Sequence, residues 1–185
     1  MTSTAEAHHI GTGRPTTDLP LLLADLHLAL LPGDEARIRL DPVPDAGWTL
    51  QRADDLLVGA GFVPDTISWC DTGRVEVAAT RIRSLPDTVA PDLRLLVVGL
   101  NPSPSSADTA VGYHRGGNRF WPAVLEAGLA SVDREPRRAL RDHKLGMTDL
   151  VRRTTSRADE VAPAEYRRGA ERVERLVAWL HPRAV

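Results

Sequence analysis

The residues with most chemical potential share one stretch, RLLVVGLNPSPSSADTAVGYHRGGNRFW, residues 94–121. An apolar run enters a Gly-Leu-Asn-Pro corner, crosses small polar residues around Tyr113, and resumes at Asn-Arg-Phe-Trp. A strand followed by a loop and a helix puts that loop at the carboxyl edge of a parallel sheet, where open α/β folds bind ligands. Residues 99–118 are therefore the candidate site. A phosphate-cradling loop would need G-x-G-x-x-G or a Walker lysine, and the segment has neither. On residue types alone two readings stand: a binding loop, or a plain turn at Asn101-Pro102 with Asn118 as a helix cap. Other chemistries have less material. Cys70 is the only cysteine, so no intrachain disulfide and no thiolate cluster for zinc or iron-sulfur can form. The six histidines are scattered, apart from His8-His9 near the start.

These residues need a frame to hold them. Residues 95–100 read as a continuous apolar strand, the kind buried on both faces of a parallel sheet. Asn118 can cap a helix running through Ala127, with Pro122 tolerated in its first turn and Gly128 ending it. The stretch PAEYRRGAERVERLVAWL predicts an amphipathic helix, with Ala170, Val173, Val177 and Leu180 at helical spacing and charges on the other face. The closing HPRAV reads as the start of a second buried strand. Upstream, residues 1–18 read as a disordered tail. From Leu19 the pattern predicts a helix closed by Pro32-Gly33, then a strand at residues 36–40. Residues 53–61 read as a short helix stopped by glycine, and RVEVAATRI alternates as a strand. The segment RSLPDTVAPDL has two prolines and no periodicity, which predicts a hinge and a domain boundary near residues 84–92.

With 185 residues and 42% apolar content, the chain can build one ordinary core or two small ones. No apolar run approaches the ~18 residues of a membrane span, and the first residues lack the basic start and apolar centre of a secretion signal. The expectation is a cytoplasmic protein with no membrane partner. The net charge of -2 hides a division: residues 1–90 carry 7 Lys/Arg against 13 Asp/Glu, and residues 91–185 carry 16 against 12. The second half can accept an anionic partner, including a nucleic acid.

Three blocks in order, GLNPSPSSADTAVGYHRGGNRFWPAVLEAGL, then GMTDLVRRTTSRADEV, then the amphipathic helix, resemble the mismatch-specific uracil-DNA and thymine-DNA glycosylase family. That family's first motif is Gly-hydrophobic-Asn-Pro-Gly, with Asn-Arg-Phe-Trp at the downstream distance seen here. The resemblance covers about residues 90–185. It implies a uracil-DNA-glycosylase-like fold, a three-layer α/β/α sandwich on a parallel-type sheet. It also implies a DNA N-glycosylase acting in base-excision repair without metal or cofactor. The substrate would be double-stranded DNA with a G·U or G·T mismatch, whose base is flipped out and hydrolysed from its sugar.

By the same resemblance Asn101 positions the attacking water, the Leu100 backbone hydrogen-bonds the base, and Tyr113 stacks on it. Asparagine is a poor base, which implies slow catalysis on a labile base. Ser106 is a pocket neighbour. Gly99, Pro102 and Asn118 shape the site, Asn118 through capping, and Arg119, Phe120 and Trp121 support it from the core. Arg115 is either a phosphate contact or a solvated arginine. Thr148 and Asp149 face the pocket if their segment reaches the edge of the sheet. Ser103 and Pro104 stand where the family has a glycine-containing turn. The family's second motif, a Ser-Gly-type loop that wedges into the duplex, is expected beyond Val185. This predicts a domain incomplete at its C-terminus and weakened in base flipping. The alternative is a truncated, non-catalytic remnant with weak DNA binding.

The earlier stretches ADLHLALLPGDEARIRL, GWTLQRADDLLVGAGFVPDTISW and RVEVAATRIRSLPDTV resemble the C-terminal part of a class I S-adenosylmethionine-dependent methyltransferase. Pro32-Gly33 matches a helix end that precedes a core strand, and Gly59-Ala60-Gly61-Phe62 matches one that leads into the closing hairpin. The cofactor-binding strand of that family would lie upstream of Met1, so methyl transfer is not expected, and Trp48 and Trp69 are read as core aromatics. The resulting organisation is a tail at 1–18, a methyltransferase-like α/β remnant at 19–88, and the N-terminal part of a glycosylase-like domain at 89–185.

Overall fold

In the computed structural model, which describes residues 7–71 and 73–185, the chain divides between Ile82 and Arg83 into two units. Both are mixed α/β, one on a mixed sheet and the other on a parallel one. Among the described residues no helix is long and apolar enough to cross a membrane.

In the first unit the elements run β1 (His8–Ile10), α1 (Leu19–Ala29), β2 (Glu35–Leu40), α2 (Leu50–Gly59), β3 (Phe62–Asp71) and β4 (Arg74–Arg81). The sheet order is β1-β2-β4-β3, with β1 parallel to β2 and the rest antiparallel. Alternation decides its two faces. Ala36, Ile38 and Leu40 of β2 join Val75, Val77 and Ala79 of β4 in a core completed by Leu19 and Leu23 of α1 and Leu56 and Leu57 of α2. The opposite face carries Arg37, Arg39, Glu76, Thr66 and Ser68, which is the composition of a solvated surface. Thr49 starts α2, its hydroxyl accepting the Arg52 N–H at 3.1 Å.

Two expectations for this unit are corrected. Residues 1–6 lie outside the described residues, but from residue 7 the tail is ordered: His8–Ile10 pairs with Ile38, Arg39 and Leu40, and a 3-10 turn spans Thr16–Asp18. Trp48 is buried as expected, whereas Trp69 is 43% exposed. It lies on β3, the edge strand, and packs edge-on against Trp48 at 6.5 Å.

The second unit runs β5 (Leu95–Gly99), α3 (Pro104–Thr109), α4 (Phe120–Glu126), α5 (Pro136–His143), β6 (Leu145–Asp149) and α6 (Pro163–Leu180). Strands β5 and β6 are parallel, in the register Leu95↔Leu145 to Gly99↔Asp149, so their carboxyl ends finish side by side. Leu145 and Met147 join Trp121, Val124, Ala130 and Ala139 in one core, while the alternate residue Gly146 faces Leu93 and Leu96. Only Leu96 of β5 is fully buried, and its other residues are half-buried, short of the two-sided burial expected of this strand. The last residues lie along β5: Arg183 N–H donates to Leu93 O, and Leu96 N–H donates to Ala184 O, both at 3.0 Å.

The segment read as a hinge is part of the second unit's interior. Ser84, Val89 and Leu93 are fully buried, Asp87 nearly so, and Thr88 exchanges two backbone hydrogen bonds of 2.9 Å with Met147. The buried stripe of α6 also differs from the expected one. It is Gly169, Arg172, Val173, Leu176 and Leu180, with Ala170 and Val177 only half-buried, so an arginine takes a core position. Gly169 permits this packing, because a Cβ there would strike the Leu150 carbonyl.

Candidate functional site

A cavity of about 250 Å³ opens at the carboxyl ends of β5 and β6. Gly99, Leu100, Asn101 and Pro102 line it from the turn after β5, Ser106 from α3, and Tyr113, Arg115 and Asn118 from the loop before α4. The eight site residues expected from the sequence therefore surround one space. The end of β6 also reaches it, through Met147, Thr148 and Asp149. The segment 85–88 forms a further wall.

The turn after β5 is laced to the chain that follows β6. Leu150 N–H donates to Gly99 O and Val151 N–H to Leu100 O, each at 2.9 Å. With its carbonyl already accepting one hydrogen bond, Leu100 offers its N–H as the donor to a ligand. Asn101 is held the same way, its Nδ2 donating to Thr155 Oγ1 at 2.7 Å and to Arg153 O at 3.2 Å. The Thr155 hydroxyl gives its own hydrogen to Arg157 O at 2.7 Å, so it can only accept from Asn101. Both amide hydrogens are thus fixed on acceptors. Oδ1 is left as the amide's remaining polar atom, an acceptor for a water or an N–H donor.

Ser103 caps α3, its hydroxyl accepting the Ser106 N–H at 3.2 Å, with Pro104 in the first turn. Ser106 is buried, and its hydroxyl accepts from Ser103 Oγ at 3.1 Å. Tyr113 has a left-handed backbone, φ 57°, a conformation costly for a bulky residue. One face of its ring stacks on Phe120 at a centroid distance of 4.1 Å and 23° between planes. Burial, with the charge of Asp149 adding to it, pushes the phenol up to about 12, so it keeps its proton. Asn118 accepts the Phe120 N–H on Oδ1 at 2.8 Å while lining the cavity, but the capping position expected of it falls one residue later: the N-cap of α4 is Arg119, without a side-chain cap. Arg115 is exposed at the rim, without an ion pair among the described residues.

Asp149, expected to face the pocket only if its segment reached the edge of the sheet, does line it from the end of β6. Its carboxylate approaches Gly99 so closely that a Cβ there would overlap Oδ1, and the Tyr113 hydroxyl would lie 3.2 Å from the same Cβ. Hence glycine at 99. Burial raises Asp149 to about 6, reinforced by Asp87 and opposed by Arg152 and Arg172. It is a carboxylate at neutral pH, in a cavity that makes it a stronger proton acceptor than an exposed aspartate.

Behind it lies a buried ionic cluster. Asp87 Oδ1 accepts Thr148 Oγ1 at 2.6 Å and Arg152 Nη1 at 2.8 Å, and Oδ2 accepts Arg172 Nη1 at 2.8 Å. Arg172 also donates to Thr148 Oγ1 at 2.8 Å and to Asp149 O at 2.9 Å, and Arg152 donates to Leu85 O. Among the described residues no three His, Cys, Asp or Glu side chains converge as a metal site. The chain matches no protein-family model.

Proposed function

We propose that the second unit belongs to a mismatch-directed uracil or thymine DNA glycosylase with the three-layer fold of the uracil-DNA glycosylases. The observation that carries this reading is the Asn101 amide, with both hydrogens tied to Thr155 and Arg153 and Oδ1 left over at a cavity sized for one ring. At about 250 Å³ the space falls below the ~300–1,000 Å³ of drug-sized pockets. It suits a single extruded heterocycle better than a whole nucleotide. Tyr113 offers the ring face that Phe120 does not cover, and the Leu100 N–H offers one donor to the base.

In the proposed reaction, Asn101 Oδ1 accepts a hydrogen bond from water and aims its oxygen at the sugar's anomeric carbon. The C–N bond to the base breaks as the C–O bond forms, through an oxocarbenium-like transition state that depends on positioning. The water's proton passes to Asp149, and the base leaves with the bonding electron pair. Arg152 and Arg172 lend positive potential to the charge developing there. Asp149 supplies the basicity that an asparagine lacks.

Arg115 at the rim is assigned to a DNA phosphate. For the first unit, the β3–β4 hairpin after the glycine-stopped α2 supports the likeness to the end of a methyltransferase, and no activity is assigned to it. The test is incubation of the purified chain with a G·U duplex, followed by alkaline cleavage of abasic sites. Product absent from an Asn101→Ala control supports the reading. Product no greater than that control, with salt-sensitive DNA binding retained, replaces the enzyme with a binding module.

A further inference from the structure

We propose that Asp87 is a positioning residue of the cavity: through Arg152, Arg172 and Thr148 it locks the 85–88 wall against the end of β6 and governs the charge state of Asp149. The inference rests on the reading of Asp149 as the acceptor of the water's proton. The wall has no regular structure of its own. It is held by the Thr88–Met147 pair and by the Asp87 carboxylate, whose two oxygens take three hydrogen bonds while only 5% of the residue is exposed. Each partner leads back to the cavity. Arg152 lines it and grips Leu85 O, Thr148 lines it, and Arg172 holds the Asp149 carbonyl.

The charged groups facing Asp149 are Arg152 from the loop after β6, Asp87 from the wall and Arg172 from α6, with the Tyr113 phenol across Gly99. Two guanidinium groups against one carboxylate leave an excess positive charge behind Asp149. Asp87 moderates that excess. Without its charge the arginines would draw the proton off Asp149 more readily, and the wall would lose its anchor.

The test follows the Asp149 carboxyl by carbon-13 NMR titration of the whole chain, assigned by its disappearance in Asp149→Asn. The expected midpoint is about 6 in the parent protein. It falls by about one pH unit in Asp87→Asn and returns toward the parent value in Asp87→Glu. A midpoint that stays put while the variant merely melts earlier overturns the proposal, since a purely structural aspartate changes stability alone. Should Asp87→Asn fail to fold, the Asp87→Asn/Arg172→Met double variant removes the carboxylate without stranding Arg172: a midpoint below that of Arg172→Met alone supports the proposal and an equal one overturns it. The titration needs no DNA. A midpoint that moves as expected, with no excision by any variant, keeps the role of Asp87 and rejects the glycosylase.

Discussion

Replacing Asp149 by asparagine is expected to stabilise the second unit and disable it together. The carboxyl rises from its ordinary 3.8 to about 6 on folding, because burial penalises its charge. Between those pH values the folded protein holds the proton more tightly than the unfolded chain. The resulting stability is complete below about 3.8 and is lost as the pH climbs through about 6. At neutral pH the fold therefore carries a buried carboxylate, at an expense of about 3 kcal/mol. Asparagine keeps the shape and removes the charge. Asp149→Asn is expected to unfold up to about 3 kcal/mol harder than the parent near pH 7.5, with the gain vanishing near pH 4. Urea titrations at several pH values measure this on the indole N–H of Trp121, which donates to Gly112 O at 2.8 Å within the same unit. Excision of uracil by the same variant is expected to fall by about 10² to 10⁴, and the parent's rate to rise with pH through about 6 before levelling. Equal stabilities near pH 7.5, or a gain independent of pH, would refute the reasoning.

Thr155→Val removes the 2.7 Å acceptor that turns the Asn101 amide and is expected to slow single-turnover excision about tenfold, while Thr155→Ser restores it. Gly169→Ala should raise helix propensity by about 1 kcal/mol, yet the Leu150 carbonyl occupies the space of the new methyl. Calorimetry is expected to show a net loss of about 1–3 kcal/mol instead.

What the sequence revealed depended on how locally each signal was written. Helix α6 was readable from its period, β5 from its apolar run and the end of α4 from Gly128, because those cues sit within a turn or two of what they specify. Helix α3 carries such a cue in Ser103-Pro104, a cap followed by an N-terminal proline, at the place where the resembled family has a glycine-containing turn. The wall at residues 84–93 was not legible. A buried aspartate between prolines looks like a loop, and the partners that bury it stand 65 and 85 residues further on. The same distance effect hid Arg172, which counts as a surface charge until Asp87 is seen beneath it. Asp149 needed the register of β6 against β5, which brings it beside Gly99.

The place where the wall begins sets a limit on dissection. A fragment opened at residue 89, where composition invites the cut, would discard Asp87 and leave Arg152 and Arg172 buried without their counter-ion, a loss of about 3–5 kcal/mol in comparable broken pairs. Started at Arg83, the same fragment retains the carboxylate and the lining of its own cleft.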